Sequence, residues 1–302
     1  MTMRINRVGT SGLEVSELGL GAFEWGHRVS AETAQELVDA YAEAGGTVLE
    51  LPSFASPAAE VVGSLSLPSE IALIARVGVA VDARGARLSL GRRTVLTQVE
   101  SLLERTGRER LDVLVLEGFD AKVPLEETAS ALDTVLGTGA VVHVAAAHHA
   151  GWQLAVLRAA GIPLVAAVSE LSLLDRRAES EVLPAADYLG IGVIAGAALG
   201  RGILPGRYAT GVPRDSRAAG AGREWVTEKL TAESEQVMAG VTKAAAGLGV
   251  SPLDVALAWN RALPVACSLV GPRSVGQLRE ILASELVLEP EIRDALDQIS
   301  DP

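Results

Sequence analysis

Charged side chains stand at or just beyond the ends of five apolar segments of the sequence. These side chains are Glu50, Arg76, Glu117, His148 and Glu170. Carboxylates and imidazoles are the common groups of general acid and base chemistry, and two carboxylates beside one guanidinium tend to separate in pKa. If a fold brings the segment ends together, Glu50, Arg76 and Glu117 therefore predict an acid/base site.

Two other interpretations of these residues stay open. Buried charges occur mainly in pairs, so Glu50, Arg76 and Glu117 can equally form a structural ion-pair cluster. Glu50, Glu117, His148 and Glu170 are also plausible ligands of a divalent metal. The positive charge of Arg76 among them disfavours a cation, and the sequence has no HxH or HExxH spacing, so we expect no metal.

A second candidate site lies in the string GPRSVGQ, where a predicted helix begins. Gly271 allows the backbone to approach a ligand, Ser274 can cap the helix, and the first NH groups of a helix attract anions. Arg273 adds a positive charge there, unless it pairs with Glu280. We expect this segment to bind a phosphate-bearing ligand.

Both sites need a scaffold that gathers strand ends, and the chain alternates apolar runs with amphipathic ones. The predicted strands are Leu18–Gly21, Thr47–Leu51, Ile71–Val77, Leu111–Glu117, Val141–Ala146, Leu164–Val168, Gly192–Ala195 and Ala266–Val270. Continuous apolar runs are typical of parallel strands covered on both faces. Eight such units over about 280 residues predict a (β/α)8 TIM barrel in a single domain, residues 1–302. A doubly wound sheet is disfavoured, because the first strand–helix turn lacks GxGxxG.

Three further segments are expected outside the eight units. Residues 4–16 predict a hairpin around Thr10–Gly12 that plugs the barrel floor. Residues 205–226 form a loop rich in Gly, Arg and Pro on the face where barrels place their sites. The C-terminal string LEPEIRDALDQI predicts a capping helix.

Composition excludes several classes of partner. The 302 residues carry 26 basic and 38 acidic side chains, a net charge of −12, which disfavours nucleic acid and anionic membrane surfaces. The single cysteine, Cys267, excludes a disulfide framework. The sequence shows no signal peptide and no apolar run of about 18 residues, so we expect a soluble cytoplasmic protein.

Four strings in order resemble the aldo-keto reductase family, and the resemblance covers essentially the whole chain. They are RINRVGTSGLEVSELGLGAFEWG, LSLLDRRAESEVLPAADYLGIGV, LGRGILPGRY and LVGPRSVGQLREIL. The resemblance implies a barrel of aldo-keto reductase type, with an N-terminal hairpin and a C-terminal capping helix. It also implies hydride transfer from NADPH to a carbonyl, with a Tyr as proton donor assisted by an Asp–Lys pair and a His.

All four catalytic positions implied by the resemblance differ here. Glu50 stands at the Asp position, Ala55 at the Tyr position, Arg76 at the Lys position and Glu117 at the His position. An alanine cannot donate a proton.

The chain's other tyrosines offer no evident replacement. Tyr41 and Tyr188 lie inside predicted helices, and Tyr208 lies in the seventh loop, where the family has an aromatic residue with a structural role.

The resemblance implies NADP(H) as cofactor. This sequence departs from the family pattern around the nicotinamide and keeps it around the phosphates. Around the nicotinamide, Ala147, His148, Val168 and Gly196 replace the family's polar and stacking residues. The segments for the pyrophosphate and the 2′-phosphate keep their pattern, so we expect the cofactor-binding residues to be Leu199, Gly200, Arg201, Gly271, Arg273, Ser274, Gln277 and Glu280.

These observations favour a family member without ordinary carbonyl reductase activity that has a binding, regulatory or assembly role. A true NADPH-dependent reductase is one alternative. An enzyme with altered acid/base chemistry at Glu50, Arg76 and Glu117 is the other. Expected partners are a small or phosphate-bearing molecule and a second protein or a second copy of the chain.

Overall fold

The computed structural model describes residues 3–82, 85–208, 217–219 and 223–301. The strands are β1 Ile5–Arg7, β2 Glu14–Ser16, β3 Leu18–Gly21, β4 Val48–Glu50, β5 Ala72–Val77, β6 Val79–Asp82, β7 Gly85–Leu88, β8 Leu111–Glu117, β9 Val141–Ala147, β10 Leu164–Ser169, β11 Gly192–Ala195 and β12 Cys267–Val270. The helices are α1 Ala31–Glu43, α2 Ala58–Gly63, α3 Arg92–Thr106, α4 Leu125–Gly137, α5 Gly151–Ala159, α6 Arg177–Ser180, α7 Val182–Leu189, α8 Arg223–Thr227, α9 Ala232–Leu248, α10 Pro252–Arg261, α11 Val275–Leu282 and α12 Pro290–Ile299.

Within these residues, eight parallel strands close into a barrel in the order β3-β4-β5-β8-β9-β10-β11-β12, and β12 pairs again with β3. The predicted (β/α)8 barrel is confirmed. The strand register places Glu50 beside Gly21 and Ile74, and it places Glu117 beside Ala147. The carboxyl ends of the strands thus form one mouth, as parallel topology requires.

The two appended elements predicted from the sequence are present. Strands β1 and β2 pair as an antiparallel hairpin, and Pro290 opens the C-terminal helix α12. A second hairpin, β6–β7, was not predicted; it follows β5 directly on the mouth side. Much of the predicted 205–226 loop lies outside the described residues, but its last part forms the short helix α8.

The core has two layers, as in other barrels. Inside the barrel pack small and branched side chains from alternating strand positions, including Val48, Ile74 and Val113. Between the strands and the helices lies a larger layer that includes Trp25, Tyr41 and Trp259. Cys267 belongs to the inner layer and is fully buried, which agrees with its predicted core role.

No single helix of the described residues is long and apolar enough to cross a membrane; α9 and α10 meet the length and composition criteria only together, as a pair bent by 101°.

Candidate functional site

The Arg76 guanidinium joins the side chains at the barrel mouth. Its Nε donates to Glu50 Oε1 at 2.6 Å, and its Nη1 donates to Glu117 Oε1 at 3.2 Å. All three side chains are largely shielded from solvent, with exposed fractions of 11% for Arg76, 8% for Glu50 and 19% for Glu117. The structure therefore brings together the three residues that the sequence places at strand ends.

The two carboxylates of this cluster differ in protonation behaviour. Burial raises the pKa of Glu50 despite the opposing charge of Arg76. Burial also acts to raise the pKa of Glu117, but hydrogen bonds and charges from His148 and Arg76 outweigh it, so that this pKa is lowered. The pKa values of the two carboxyl groups are thus shifted in opposite directions, a pattern found in acid/base sites.

His148, which directly follows β9, completes the cluster. Its Nε2 lies 3.2 Å from Glu117 Oε1 and 3.3 Å from Arg76 Nη1, and its side chain is 58% exposed. The residue has φ +58°, a left-handed conformation uncommon outside glycine.

The neighbouring His149 points elsewhere. It is buried, its Nδ1 lies 2.7 Å from the Ala147 carbonyl oxygen, and burial lowers its pKa to about 4. Its ring meets Phe119 edge-on, with ring centroids 6.0 Å apart. The expectation that only one histidine of the pair faces the cluster is confirmed.

Ala55 lies in the turn between β4 and α2, and Arg105 holds this turn in place. Arg105 Nη1 donates to the Phe54 carbonyl oxygen at 2.7 Å, and its Nη2 donates to that of Ser56 at 2.6 Å. The guanidinium carbon also lies 5.3 Å from the centroid of the Phe54 ring, which engages this ring as a cation–π partner. The turn is therefore fixed on both sides of Ala55.

Glu170 directly follows β10 at the barrel mouth, but its carboxylate does not join this cluster. Its carboxylate binds Arg201, whose Nη2 and Nε donate at 2.6 and 2.8 Å. Arg201 comes from the loop after β11 and has φ +59°, which turns its side chain toward β10. A strand-end position identified the correct face of the barrel for Glu170, but not its partner.

Arg201 also binds the segment 223–229, which we call the strap. Its Nη1 donates to Glu228 Oε2 at 3.0 Å and to the Trp225 carbonyl oxygen, and its guanidinium lies 4.8 Å from the Trp225 ring centroid. Trp225 in turn stacks on Phe23, with centroids 4.8 Å apart and planes at 21°. The strap therefore links the loop after β3 to the loop after β11.

A cavity of about 780 Å3 lies beside the strap, between the loop after β11, the end of β12 and the starts of α10 and α11. Six of the eight predicted cofactor-binding residues line it: Leu199, Arg201, Gly271, Arg273, Gln277 and Glu280. Gly200 is buried and does not line the cavity. Ser274 caps α11 by accepting a hydrogen bond from the Gln277 NH. The side chains of the charged cluster do not belong to the described lining.

The α11 end of this cavity has the properties of an anion site. Ser274 is the N-cap, the Arg273 NH donates to Gln277 Oε1 at 2.9 Å, and the first NH groups of a helix have no partner within it. The helix dipole adds positive potential at this end. The arrangement can therefore hold a phosphate.

The nicotinamide end offers less. Ala147 and Val168 present only apolar side chains, and Gly196 has no side chain to stack on a ring. Among these positions only His148, which already contacts Glu117, is polar, so the donor set fits a phosphate-bearing group better than a buried carboxamide, which needs hydrogen-bond partners.

Across residues 3–82, 85–208, 217–219 and 223–301, no group of three or more His, Cys, Asp and Glu side chains is placed to hold a metal ion.

Comparison with known proteins decides the ancestry of the chain. The model of the aldo/keto reductase family matches residues 17–301. The chain belongs to the aldo/keto reductase family. It is 28% identical to the uncharacterized oxidoreductase YrpG of Bacillus subtilis (strain 168) over 98% of this chain and 96% of that protein. It is 26% identical, with the same coverage, to a probable voltage-gated potassium channel subunit beta of Oryza sativa subsp. japonica.

For an aldo/keto reductase, the positions of the tyrosines matter. Tyr41 is buried beneath the barrel and donates to the Leu18 carbonyl oxygen at 2.7 Å. Tyr188 is 90% exposed on α7, and Tyr208 lines the cavity. Among the described residues, none of the three phenols hydrogen-bonds to Glu50 or Arg76.

Proposed function

We propose that this aldo/keto reductase family member does not catalyse ordinary NADPH-dependent carbonyl reduction and acts as a ligand-binding, regulatory or assembly protein. The observation that carries the proposal is the ion-pair cluster of Glu50, Arg76 and Glu117. At the positions that the resemblance assigns to a catalytic Asp, Lys and His, these side chains bond to one another, and Ala55, at the position assigned to the Tyr, has no hydroxyl.

The cavity supports a retained ligand. Arg273 and the capped start of α11 suit the 2′-phosphate of NADP(H), whereas at the nicotinamide positions only His148 carries a polar side chain, and that side chain contacts Glu117. A carboxamide buried there would lose about 1–3 kcal/mol for each unsatisfied group. We propose that the chain binds the adenosine phosphate part of NADP(H), or another phosphate-bearing molecule, without seating a hydride donor productively.

The names of the relatives favour different alternatives. The rice protein is called a probable channel subunit, which supports an assembly role with another protein or a second copy of this chain. The Bacillus protein is called an oxidoreductase, which supports a true reductase. The acidic composition and the single buried thiol agree with a role in the cytoplasm.

The test is steady-state oxidation of NADPH by the purified protein with a panel of aldehydes and quinones, followed at 340 nm. We expect no rate above that of a matched sample without protein. The Glu50→Gln variant is the control for a weak positive signal, because the carboxyl group at the mouth is the remaining candidate proton donor. Turnover that follows the protein peak and falls in Glu50→Gln would establish a reductase with an altered donor and overturn the proposal.

A second candidate function, altered acid/base chemistry at the same cluster, is favoured by one specific observation. The pKa of Glu50 is raised by burial, and that of Glu117 is lowered by its contacts with His148 and Arg76, although the two carboxylates share one guanidinium. Divergent carboxyl groups of this kind serve as acid and base in enzymes. This candidate predicts that small molecules bind in the mouth rather than in the cavity.

A further inference from the structure

Of the four histidines in the chain, His148 alone combines exposure with a carboxylate partner. The groups facing it are Glu117 on β8, Arg76 on β5 and, at longer range, Glu50 on β4 and the neighbouring His149. His27 is exposed in the loop after β3, and His149 is buried. The aldo/keto reductase pattern has an Asn where this chain has His148, so the imidazole is a property of this chain.

Two contacts of Nε2 bear on which ring nitrogen carries the proton, because Nε2 can donate to Glu117 Oε1 at 3.2 Å or accept from Arg76 Nη1 at 3.3 Å. Arg76 Nη1 already donates to both oxygens of Glu117, at 3.2 and 3.3 Å. A proton on His148 Nε2 gives Glu117 Oε1 a further donor at 3.2 Å, a charge-assisted bond. Nδ1 then carries the lone pair, on a ring whose side chain is more than half exposed.

The backbone of His148 is consistent with a positioned group. A histidine at φ +58° costs conformational energy that surrounding contacts must offset, and such strain concentrates at functional sites. The His148 NH donates to the Val168 carbonyl oxygen at 3.3 Å, which anchors the residue between β9 and β10.

Two aromatic side chains lie in the segments that follow β8 and β9, the strands that end at Glu117 and just before His148. Phe119 follows Glu117 by two residues and meets the Trp152 ring at 5.4 Å, and Trp152 is 59% exposed at the start of α5. Flat apolar molecules bind well against such rings.

We propose that His148 is the proton-transfer group of the barrel mouth, held by Glu117 and acting through Nδ1 on a flat, largely apolar substrate or on a water molecule beside it. This inference rests on the second candidate function. In the forward step, the Nδ1 lone pair takes a proton from the substrate or water, while the Nε2 proton stays between the ring and Glu117. The resulting imidazolium is paired with the Glu117 carboxylate and returns its proton to the product or to solvent.

The probe is p-nitrophenyl acetate, an aromatic ester. Water, deprotonated by His148, attacks the acyl carbon; the bond between that carbon and the phenoxide oxygen breaks, p-nitrophenolate leaves with the bonding electrons, and acetate is the second product. The variant is His148→Asn, because asparagine tolerates the left-handed backbone and should preserve the fold. We expect at least about a tenfold loss of ester hydrolysis relative to wild type, within the usual range for a lost general base. His27→Asn, which removes an exposed histidine, is the matched control and should leave the rate unchanged.

Glu117→Gln separates a positioning role from a structural one. Without the carboxylate, the Nε2–H bond to Glu117 is lost and the ring is no longer held, so ester hydrolysis should fall although His148 is still present. Histidine 15N chemical shifts give a readout independent of turnover: the wild type should show the Nε2–H tautomer for His148, and Glu117→Gln should weaken that preference. Unfolding midpoints of all variants verify that they are folded.

The outcomes separate a failure of the His148 assignment from a failure of the acid/base function. Equal rates for His148→Asn and His27→Asn, or a rate and a His148 tautomer that Glu117→Gln leaves unchanged, would overturn the assignment of His148. If Glu50→Gln removes hydrolysis and His148→Asn does not, the cluster is catalytic but uses another proton carrier. Only the His148 proposal then fails. If neither Glu50→Gln nor His148→Asn changes the rate, both the acid/base function and this inference fail.

Discussion

Arg76 Nε and Glu50 Oε1 lie 2.6 Å apart in a pair that solvent scarcely reaches. Glu117 binds the same guanidinium, so one positive charge compensates two carboxylates. Removing that charge leaves both carboxylates without their counter-charge in a poorly solvated place.

Arg76→Met should therefore destabilise the protein strongly near pH 7. Breaking a buried pair costs about 3–5 kcal/mol, whereas an exposed pair contributes about 0–1 kcal/mol. In the variant, the pKa values of Glu50 and Glu117 rise, so their protonation removes the penalty and the loss should shrink as the pH falls from 7 to 5. Denaturant unfolding at both pH values measures this. Arg4→Met is the control, because the Arg4 side chain is 61% exposed; equal losses for the two variants would contradict the buried-pair account.

The α11 end of the cavity should bind phosphate groups through Arg273. Adenosine 2′,5′-bisphosphate should bind, and nicotinamide mononucleotide should not. Arg273→Ala should weaken binding about ten- to a hundredfold, because a charge-assisted contact contributes about 1.5–3 kcal/mol. Titration calorimetry provides the affinities. Arg279→Ala, on the exposed side of the same helix, should bind as wild type does; an equal loss in both variants would show a nonspecific charge effect.

Asp175 should stabilise the fold in a pH-dependent way. Burial acts to raise its pKa, but Arg177 and Lys229 outweigh this and lower the pKa to about 2. A depressed carboxyl pKa adds stability that is fully present above the unfolded value near 3.8 and is lost as the pH falls toward 2. Asp175→Asn should thus lower the free energy of unfolding at pH 7 and have a smaller effect at pH 3. Urea unfolding compares it with Asp133→Asn on the exposed face of α4, which should change little at either pH.

The strap should depend on Arg201. Arg201→Met removes the bonds to Glu170, Glu228 and the Trp225 carbonyl oxygen together. We expect faster amide hydrogen exchange in residues 223–229 and no change in the β8 strand, which Arg201 does not contact. Exchange mass spectrometry measures both regions in one experiment, and unchanged protection of the strap would show that other contacts hold it.

The barrel strands were predictable because burial on both faces leaves an unbroken apolar run. Leu18–Gly21 and Leu111–Glu117 agree with the sequence prediction to the residue. Hairpin β6–β7 was missed because its strands are short and Val81 is 62% exposed, so no apolar run marks it. Helix α9 was also missed; only four of its 17 residues are buried, and its apolar stripe is correspondingly narrow.

The site was predictable only as far as strand ends determine it. Glu50, Arg76 and Glu117 lie on adjacent strands, so their meeting follows from the barrel order. The partner of Glu170 comes from a loop residue in a left-handed conformation, Arg201, and neither spacing nor periodicity encodes that turn. The stack of Phe23 on Trp225 likewise joins segments about 200 positions apart, which a local pattern cannot reveal.

That stack has a consequence for cooperativity. Trp225 holds the ring contact with Phe23, while Glu228 and Lys229, three and four positions on, hold ion pairs with Arg201 and Asp175. Because these anchors share one short stretch of backbone, the loss of one shifts the others off their partners. The segment should therefore detach as a single all-or-none unit rather than fray from one end.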